Sequence, residues 1–248
     1  MDPITAIAAS GMRSRTETLD ALANNIANAG TAGYKADSES YNLYFGQDAW
    51  DAYDENRPMG AEMPLVQKDW TNFTQGTLLE TGNMGDAALT SEGFFVVQTA
   101  SGLLYTRTGH FRIGKSGKLE TTDGYAVLGS NGKALQLDPA KPFTIAPSGQ
   151  VSQDNAAVGD LQILNVDTVD NLTKRGGTYF MLSPTAKTSP AKDTQVMQGK
   201  IEGSNVEPTQ ATVKLVGVLR QFEALQKAVR IATEMGKEAV EQVAKVGG

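Results

Sequence analysis

From Leu215 onward an apolar residue or glycine returns at every third or fourth position: Leu215, Val218, Phe222, Leu225, Val229, Ala232, Gly236, Ala239, Val243 and Val246. A period of about 3.5 residues is the a/d seam of a supercoiled helix, so the pattern predicts one long helix over Thr209–Val246. Charge fills the flanks, through Lys214, Arg220, Glu223, Lys227, Arg230, Glu234, Lys237, Glu238 and Glu241. Glu223 and Lys227 attract one turn apart while Glu234 and Glu238 repel, as on a solvated outer face. A weaker seam opens the chain, with Ala8, Met12, Leu19, Leu22 and Ile26 interrupted by Arg15. It predicts a helix over Ile4–Ala29 that stops in the Asn/Gly-rich run 24–30, where Asn28 or Gly30 can take the left-handed cap conformation, and a turn beyond it that needs positive φ at Gly33. The two terminal helices are expected to pack on each other as a helical hairpin or coiled coil. Val213, Val216, Leu219 and Ile231 lie off the C-terminal seam. That is more apolar face than one partner covers, which points to an assembly interface.

Between the helices the texture changes twice. Residues 34–73 hold eight of the seventeen aromatic side chains, are acidic between Asp48 and Glu55, and sustain no period. Pro58, Gly60 and Pro64 punctuate them. Such a stretch is expected to be a long arm anchored by aromatic burial against a neighbour. From Leu78 short β-branched and aromatic runs, such as Phe94–Thr99, Leu103–Thr108, Tyr125–Leu128, Leu161–Val166 and Thr178–Leu182, alternate with turn clusters such as Ala100-Ser101-Gly102 and Asn131-Gly132. Turns every eight to twelve residues indicate an all-β domain, a sandwich or irregular barrel. The predicted class is α+β: an N-terminal helix (1–30), an inserted arm (31–77), a β-rich domain (78–200) and a C-terminal helix (201–248).

Composition narrows the chemistry. The 248 residues suffice for one large or two small cores, and the net charge is −6 with no basic run, which argues against a nucleic-acid groove. With no cysteine, thiolate catalysis, zinc knuckles and disulfides are absent together, and the single histidine, His110, leaves little for a metal cage or a Ser-His-Asp triad. No apolar run reaches the length of a membrane span, and the opening residues lack the basic and apolar segments of a cleaved leader. Gly109 to Ser116 matches the G-x-x-x-x-G-K-[ST] phosphate loop. That motif needs a helix starting at its lysine so that backbone amides converge on phosphate. Here Gly117 follows and a strand pattern resumes at Lys118, so a β-hairpin with Lys115-Ser116-Gly117 at its turn is expected. Candidate carboxylates such as Asp86 and Glu92 have no distinguishing spacing. A nucleotide-dependent enzyme would rest on Gly109–Ser116 alone, and a carbohydrate-binding β module on the aromatic arm alone.

Three stretches carry a specific resemblance. The run from Ala23 through Asn24, Asn25, Asn28 and Gly33 to Tyr34-Lys35 resembles the N-terminal signature of bacterial flagellar rod and hook proteins. Thr81-Gly82-Asn83 through Asp86, Leu89 and Gly93–Val97, then Tyr105–Gly109 and Phe111, resembles the central block of that family. Ile201–Val206, which includes Asn205, continuing into Arg220–Ala224, resembles its C-terminal signature. The three occur in the family's order over nearly the whole chain. The resemblance implies a non-enzymatic structural subunit of the basal-body rod, without a cofactor, that polymerises helically with terminal helices inward and the β domain outward. Its implied place is the periplasmic part of the flagellar basal body, reached through the type III export apparatus without a cleaved signal. Implied partners are rod subunits above and below, including the distal-rod protein, and copies of itself. The opening Met1-Asp2 with Ala9–Met12 and the compact length are most similar to a proximal-rod subunit, the distal rod being the alternative. Asn24, Asn25, Asn28, Gly33, Asn205, Val206, Leu215, Val218, Phe222, Leu225 and Val229 are the expected assembly interface.

Overall fold

The computed structural model describes the backbone of residues 3–45 and 62–246, and the side chains of residues 8–38 and 70–238. The acidic aromatic stretch around Trp50 and Tyr53, and the side chains of Ala239, Val243 and Val246, lie outside the described residues. The chain divides into two compact units, Met1–Ala27 with Asp37–Trp70 and Glu207–Gly248, and Asn28–Ala36 with Thr71–Val206.

The first unit contains helix α1 (Pro3–Ala27), strands β1 (Asp37–Phe45) and β2 (Glu62–Thr71), and helix α2 (Pro208–Val246). Pro208 stands at the first position of α2, where its missing N–H costs nothing and its fixed φ suits the first turn. α1 and α2 pack along each other. Between Thr212 and Glu238, the side chains of Leu215, Val218, Phe222, Leu225, Val229 and Ala232 are half-buried and every other one is exposed. These are the positions set by the 3.5-residue period. On α1, Ala8 is buried and Met12, Arg15, Leu19, Leu22 and Ile26 are half-buried. Gly11 and Ser14 are buried more completely, so small residues one turn apart form the deepest part of the α1 face. Small side chains there let the large residues of α2 approach the α1 backbone.

Two expectations are corrected. The stretch read as an unperiodic arm carries a two-stranded sheet, β1 paired with β2. Tyr41, Leu43 and Phe45 do alternate, but the acidic residues before them and Pro64 within β2 mask the period of two. The chain after α1 also turns differently. Neither Asn28 nor Gly30 has a positive φ, so the left-handed cap is absent, while Gly33 has φ +69° as expected.

The second unit is built on strands β3 (Leu78–Glu80), β4 (Ala87–Leu89), β5 (Phe94–Thr99), β6 (Gly102–Thr106), β7 (Phe111–Ile113), β8 (Leu119–Thr121) and β9 (Ala126–Val127). It continues through β10 (Thr144–Ile145), β11 (Gln150–Gln153), β12 (Ala156–Asp160), β13 (Ile163–Val166), β14 (Leu172–Lys174), β15 (Tyr179–Leu182), β16 (Thr188–Pro190), β17 (Val196–Gln198) and β18 (Lys200–Glu202). A nine-stranded sheet runs β14-β15-β6-β5-β9-β8-β7, with β13 joining β5 to β16. Its central strand β5 is buried on both faces. Phe95 and Val97 enter one apolar cluster with Leu119, Val127 and Tyr179, while Phe94 and Val96 enter another with Tyr105, Leu128 and Phe180. The three-stranded sheet β10-β11-β12 adds Ile145 and Val151 to the first cluster, and the β4–β17 pair adds Leu89 and Val196. The β11–β12 hairpin turns on Asp154 (φ +51°) and Asn155 (φ +64°), the left-handed pair of a tight turn that matches strand twist.

Candidate functional site

After α1 the chain passes into the β unit for nine residues, Asn28–Ala36, and leaves it at Asp37. This strap belongs to neither apolar cluster. Polar bonds hold it along its whole length. Asn28 closes the first turn, its carbonyl accepting from the Thr31 N–H at 3.0 Å and its Oδ1 from the Thr31 hydroxyl at 3.2 Å. The Thr108 hydroxyl donates to the Ala32 carbonyl (3.0 Å), and the Gly33 N–H donates to the Glu202 carbonyl (2.7 Å). A Cβ on Gly33 would stand 2.5 Å from the Thr108 nitrogen, so the positive φ and the close backbone approach both require glycine here. The Tyr34 ring is buried, with the Lys174 ammonium 4.2 Å from its centroid, and that ammonium donates to the Lys35 carbonyl at 2.7 Å. The Ala36 N–H donates to Asn205 Oδ1 (2.8 Å), and Asn205 Nδ2 reaches the carbonyls of Asn72 (2.7 Å) and Thr74 (3.1 Å).

At the centre, Glu202 receives three segments of the chain. Oε1 accepts from Lys35 Nζ at 2.5 Å and from the Gly76 N–H at 3.0 Å, and Oε2 accepts from Arg107 Nη1 at 3.1 Å. Lys35 Nζ also donates to the Thr74 carbonyl at 2.7 Å. Both side chains of the Lys35–Glu202 pair are wholly shielded from water. Burial pulls the Lys35 ammonium below its usual range, against the opposing pull of Glu202, and the nearby Arg107 lowers it further. Burial lowers Arg107 as well, and Glu202 opposes it. The Arg107 guanidinium lies over the Phe94 ring, 5.4 Å from its centroid, and its Nε has no hydrogen-bond partner. Two buried cations thus share one carboxylate, a costly arrangement in which both carboxylate oxygens are engaged while Arg107 Nε is left unpaired.

Of the residues singled out from sequence, Gly33 and Asn205 meet at this junction. Val206 follows Asn205, its N–H donating to Ser204 Oγ at 3.2 Å. Asn25 is buried in the first unit, where its amide clasps Asp37 in both directions: Nδ2 donates to the Asp37 carbonyl (2.7 Å) and Oδ1 accepts the Asp37 N–H (2.9 Å). Asn24 is exposed on α1. Leu215, Val218, Phe222, Leu225 and Val229 lie on the half-buried stripe of α2. Sequence reasoning passed over Tyr34, Lys35, Arg107 and Glu202 as site residues. Tyr34, Lys35 and Glu202 stand inside the two terminal signatures and Arg107 inside the central block, and that was the available signal.

The junction offers no reaction chemistry, because it is closed to water and every carboxylate oxygen is engaged by a cation. The stretch Gly109–Ser116 also forms no phosphate cradle. β7 and β8 pair as a hairpin with Lys115 and Ser116 in its turn, and no helix follows. His110 Nδ1 meets Asp86 Oδ1 at 2.7 Å, and the Thr81 hydroxyl donates to Asp86 Oδ2 at 2.7 Å, so this pair fastens the Thr81–Asp86 loop to the hairpin. Among the described residues no His, Asp and Glu side chains group as a metal site, and no helix is long and apolar enough to cross a membrane.

The described residues thus form paired terminal helices, a β unit and a buried polar junction. Comparison with known proteins places the chain in a structural family. Residues 6–35 match the family model of flagella basal body rod proteins, residues 88–153 that of the flagellar hook protein FlgE/F/G D1 domain, and residues 197–241 that of the flagellar basal body rod FlgEFG protein C-terminal region. The chain is 32% identical to the flagellar basal-body rod protein FlgF of Caulobacter vibrioides, over 99% of this chain and 100% of that one. It is 34% identical to FlgG of Agrobacterium fabrum, over 93% of this chain and 95% of that protein. FlgF of Mesorhizobium japonicum is 28% identical over 94% and 95%. The chain belongs to the flagellar basal-body rod protein family and is a structural subunit of the rod.

Proposed function

We propose that this chain is a subunit of the proximal rod that polymerises helically into the torque-transmitting shaft and the wall of its export channel. The terminal helices supercoil as a coiled coil and form the inner layer, and the β unit forms the outer layer. The observation that carries this reading is a second apolar stripe on α2. Val213, Gly217, Ala224, Ala228, Ile231 and Met235 recur at helical spacing and all are exposed, Val213 at 68%, Ile231 at 46% and Met235 at 66%. Val216 and Leu219, also exposed, stand on the other flank of the seam. A helix that is apolar beyond the stripe its partner covers is expected to be enclosed by further helices.

The neighbours are copies of this chain and related subunits above and below, the distal-rod protein among them, delivered to the periplasm by the type III export apparatus. No catalysis is required of the chain. Support for the proximal position is the match to a FlgF along that protein's whole length. The identity to a FlgG keeps a distal position as the second reading. Electron cryomicroscopy of basal bodies carrying a small tag on the exposed β8–β9 turn at Asp123-Gly124 tests the placement. Tag density in the layer below the distal rod is expected, and density along the distal rod would refute it.

A further inference from the structure

We infer that the Thr31–Ala36 part of the strap is a detachable element latched by Glu202, able to lift from the β unit while both apolar clusters stay folded. The division of labour within the second unit carries this inference. No strap residue contributes to either apolar cluster, so the β core does not depend on the strap for its apolar burial. One apolar anchor, the buried Tyr34 ring under Lys174, holds the strap, and the rest of its attachment is polar: Gly33 N–H to the Glu202 carbonyl, Thr108 hydroxyl to the Ala32 carbonyl, Ala36 N–H to Asn205, Lys174 to the Lys35 carbonyl, and Lys35 to Glu202 and Thr74. At low local dielectric a paired polar contact is strong and an unpaired one is costly, so loss of a central partner weighs heavily.

The two cations of the latch differ in their way out. Arg107 follows β6 directly and lies over Phe94, a residue of the second apolar cluster, so it is fixed to the sheet. Lys35 sits on the strap itself. If the carboxylate charge of Glu202 is removed, Lys35 becomes a buried ammonium with only neutral oxygens to answer it, and lifting the strap returns it to water. The charged groups facing Lys35 are Glu202 and Arg107, Glu92 acts on Arg107 from the β unit, and Lys174 bonds the Lys35 carbonyl. Opening is therefore driven by the ammonium, and it costs exposure of the Tyr34 ring.

Hydrogen exchange read by mass spectrometry on the full chain tests this, in wild type, Glu202→Gln and the double variant Lys35→Met/Glu202→Gln. In Glu202→Gln, peptides over 31–36 should exchange roughly 100-fold or more faster, while peptides over Phe94–Thr106 keep their wild-type rates. In the double variant the ammonium is gone, and strap exchange should return to within roughly tenfold of wild type. Unchanged strap exchange in Glu202→Gln would show that Glu202 is no latch. Loss of protection in strap and core together, or failure of Glu202→Gln to fold, would make the strap part of the core. A double variant as open as the single one would remove the ammonium as the cause.

Discussion

Gly11 of α1 lies directly against Leu225 of α2: a Cβ on Gly11 would stand 3.3 Å from Leu225 Cδ1. The helices meet there with no side chain on one of them. Alanine at this position recovers about 1 kcal/mol of helix propensity and asks the Leu225 methyl to move by a few tenths of an ångström. Gly11→Ala is therefore expected to keep or raise helicity, whereas Gly11→Phe overpacks the contact at a cost of about 1–3 kcal/mol. Circular dichroism of the purified variants through a thermal ramp checks both. Wild-type helicity and melting in Gly11→Phe would show that the close approach has no energetic weight.

Gly33 is constrained twice, by its positive φ and by the Thr108 backbone beneath it. A β-branched residue in left-handed geometry costs on the order of 1–3 kcal/mol, and a backbone neighbour cannot swing aside as a side chain can. Gly33→Val should lower the melting temperature of the β unit's attachment to its strap and abolish motility. Normal motility in a Gly33→Val strain would contradict this.

The contrast between Gly33 and the other strap residues shows what the sequence made legible. The turn at Gly33, with its need for positive φ, was readable from the Asn/Gly run, although the left-handed helix cap expected at Asn28 or Gly30 does not form. The α2 stripe from Leu215 to Ala232 was readable because a long helix repeats its environment every turn, so each position confirms the last. The α1 face was read from its large residues, Met12 and Leu19, while the deepest burial fell on Gly11 and Ser14, since small residues carry no hydrophobic signal. Lys35, Arg107 and Glu202 were unreadable for a different reason. A charged residue is nearly always solvated, and its burial depends on partners brought together by the fold, here 167 positions apart for Lys35 and Glu202.

Tyr179 makes stability depend on alkaline pH. Its hydroxyl is buried, donates to Asp123 Oδ2 (2.6 Å) and lies 3.1 Å from the Thr121 hydroxyl, and burial first, then the Asp123 hydrogen bond, raises it far above the ordinary tyrosine value of 10.0. Above pH 10 the unfolded chain gives up this proton and the native one keeps it, so stability present below pH 10 is lost as pH rises, by at most about 1.4 kcal/mol per pH unit. Burial raises Tyr105 in the same direction. Lys35 acts oppositely, because its lowered native value makes its contribution rise with pH up to 10.5. Denaturant unfolding at stepped pH should show a shallower decline above pH 10 for Tyr179→Phe than for wild type. Parallel declines would remove Tyr179 as the cause.

The helical pair tests where assembly and folding part company. The described seam of α2 offers Leu215, Val218, Phe222, Leu225, Val229 and Ala232, and all six are only half-buried. Full burial of a Leu, Val or Phe side chain contributes about 1.5–3 kcal/mol, so much of that stabilisation is unrealised in a single chain. The opposing α1 face is small at its deepest points, Ala8, Gly11 and Ser14, and cannot cover the remainder. Neither apolar cluster of the β unit includes a residue of α1 or α2. Phe222→Asp with Val229→Lys is therefore expected to block incorporation into the rod and abolish motility, while the β unit keeps its cooperative melt. Thermal unfolding of the purified double variant, beside basal-body isolation from the mutant strain, separates the outcomes. A β unit that fails to fold would place the seam in the intrachain core. A working rod built from the variant would show that this stripe meets no neighbouring subunit, because two buried charges of opposite sign, seven positions apart on an apolar stripe, could not be accommodated there at such small cost.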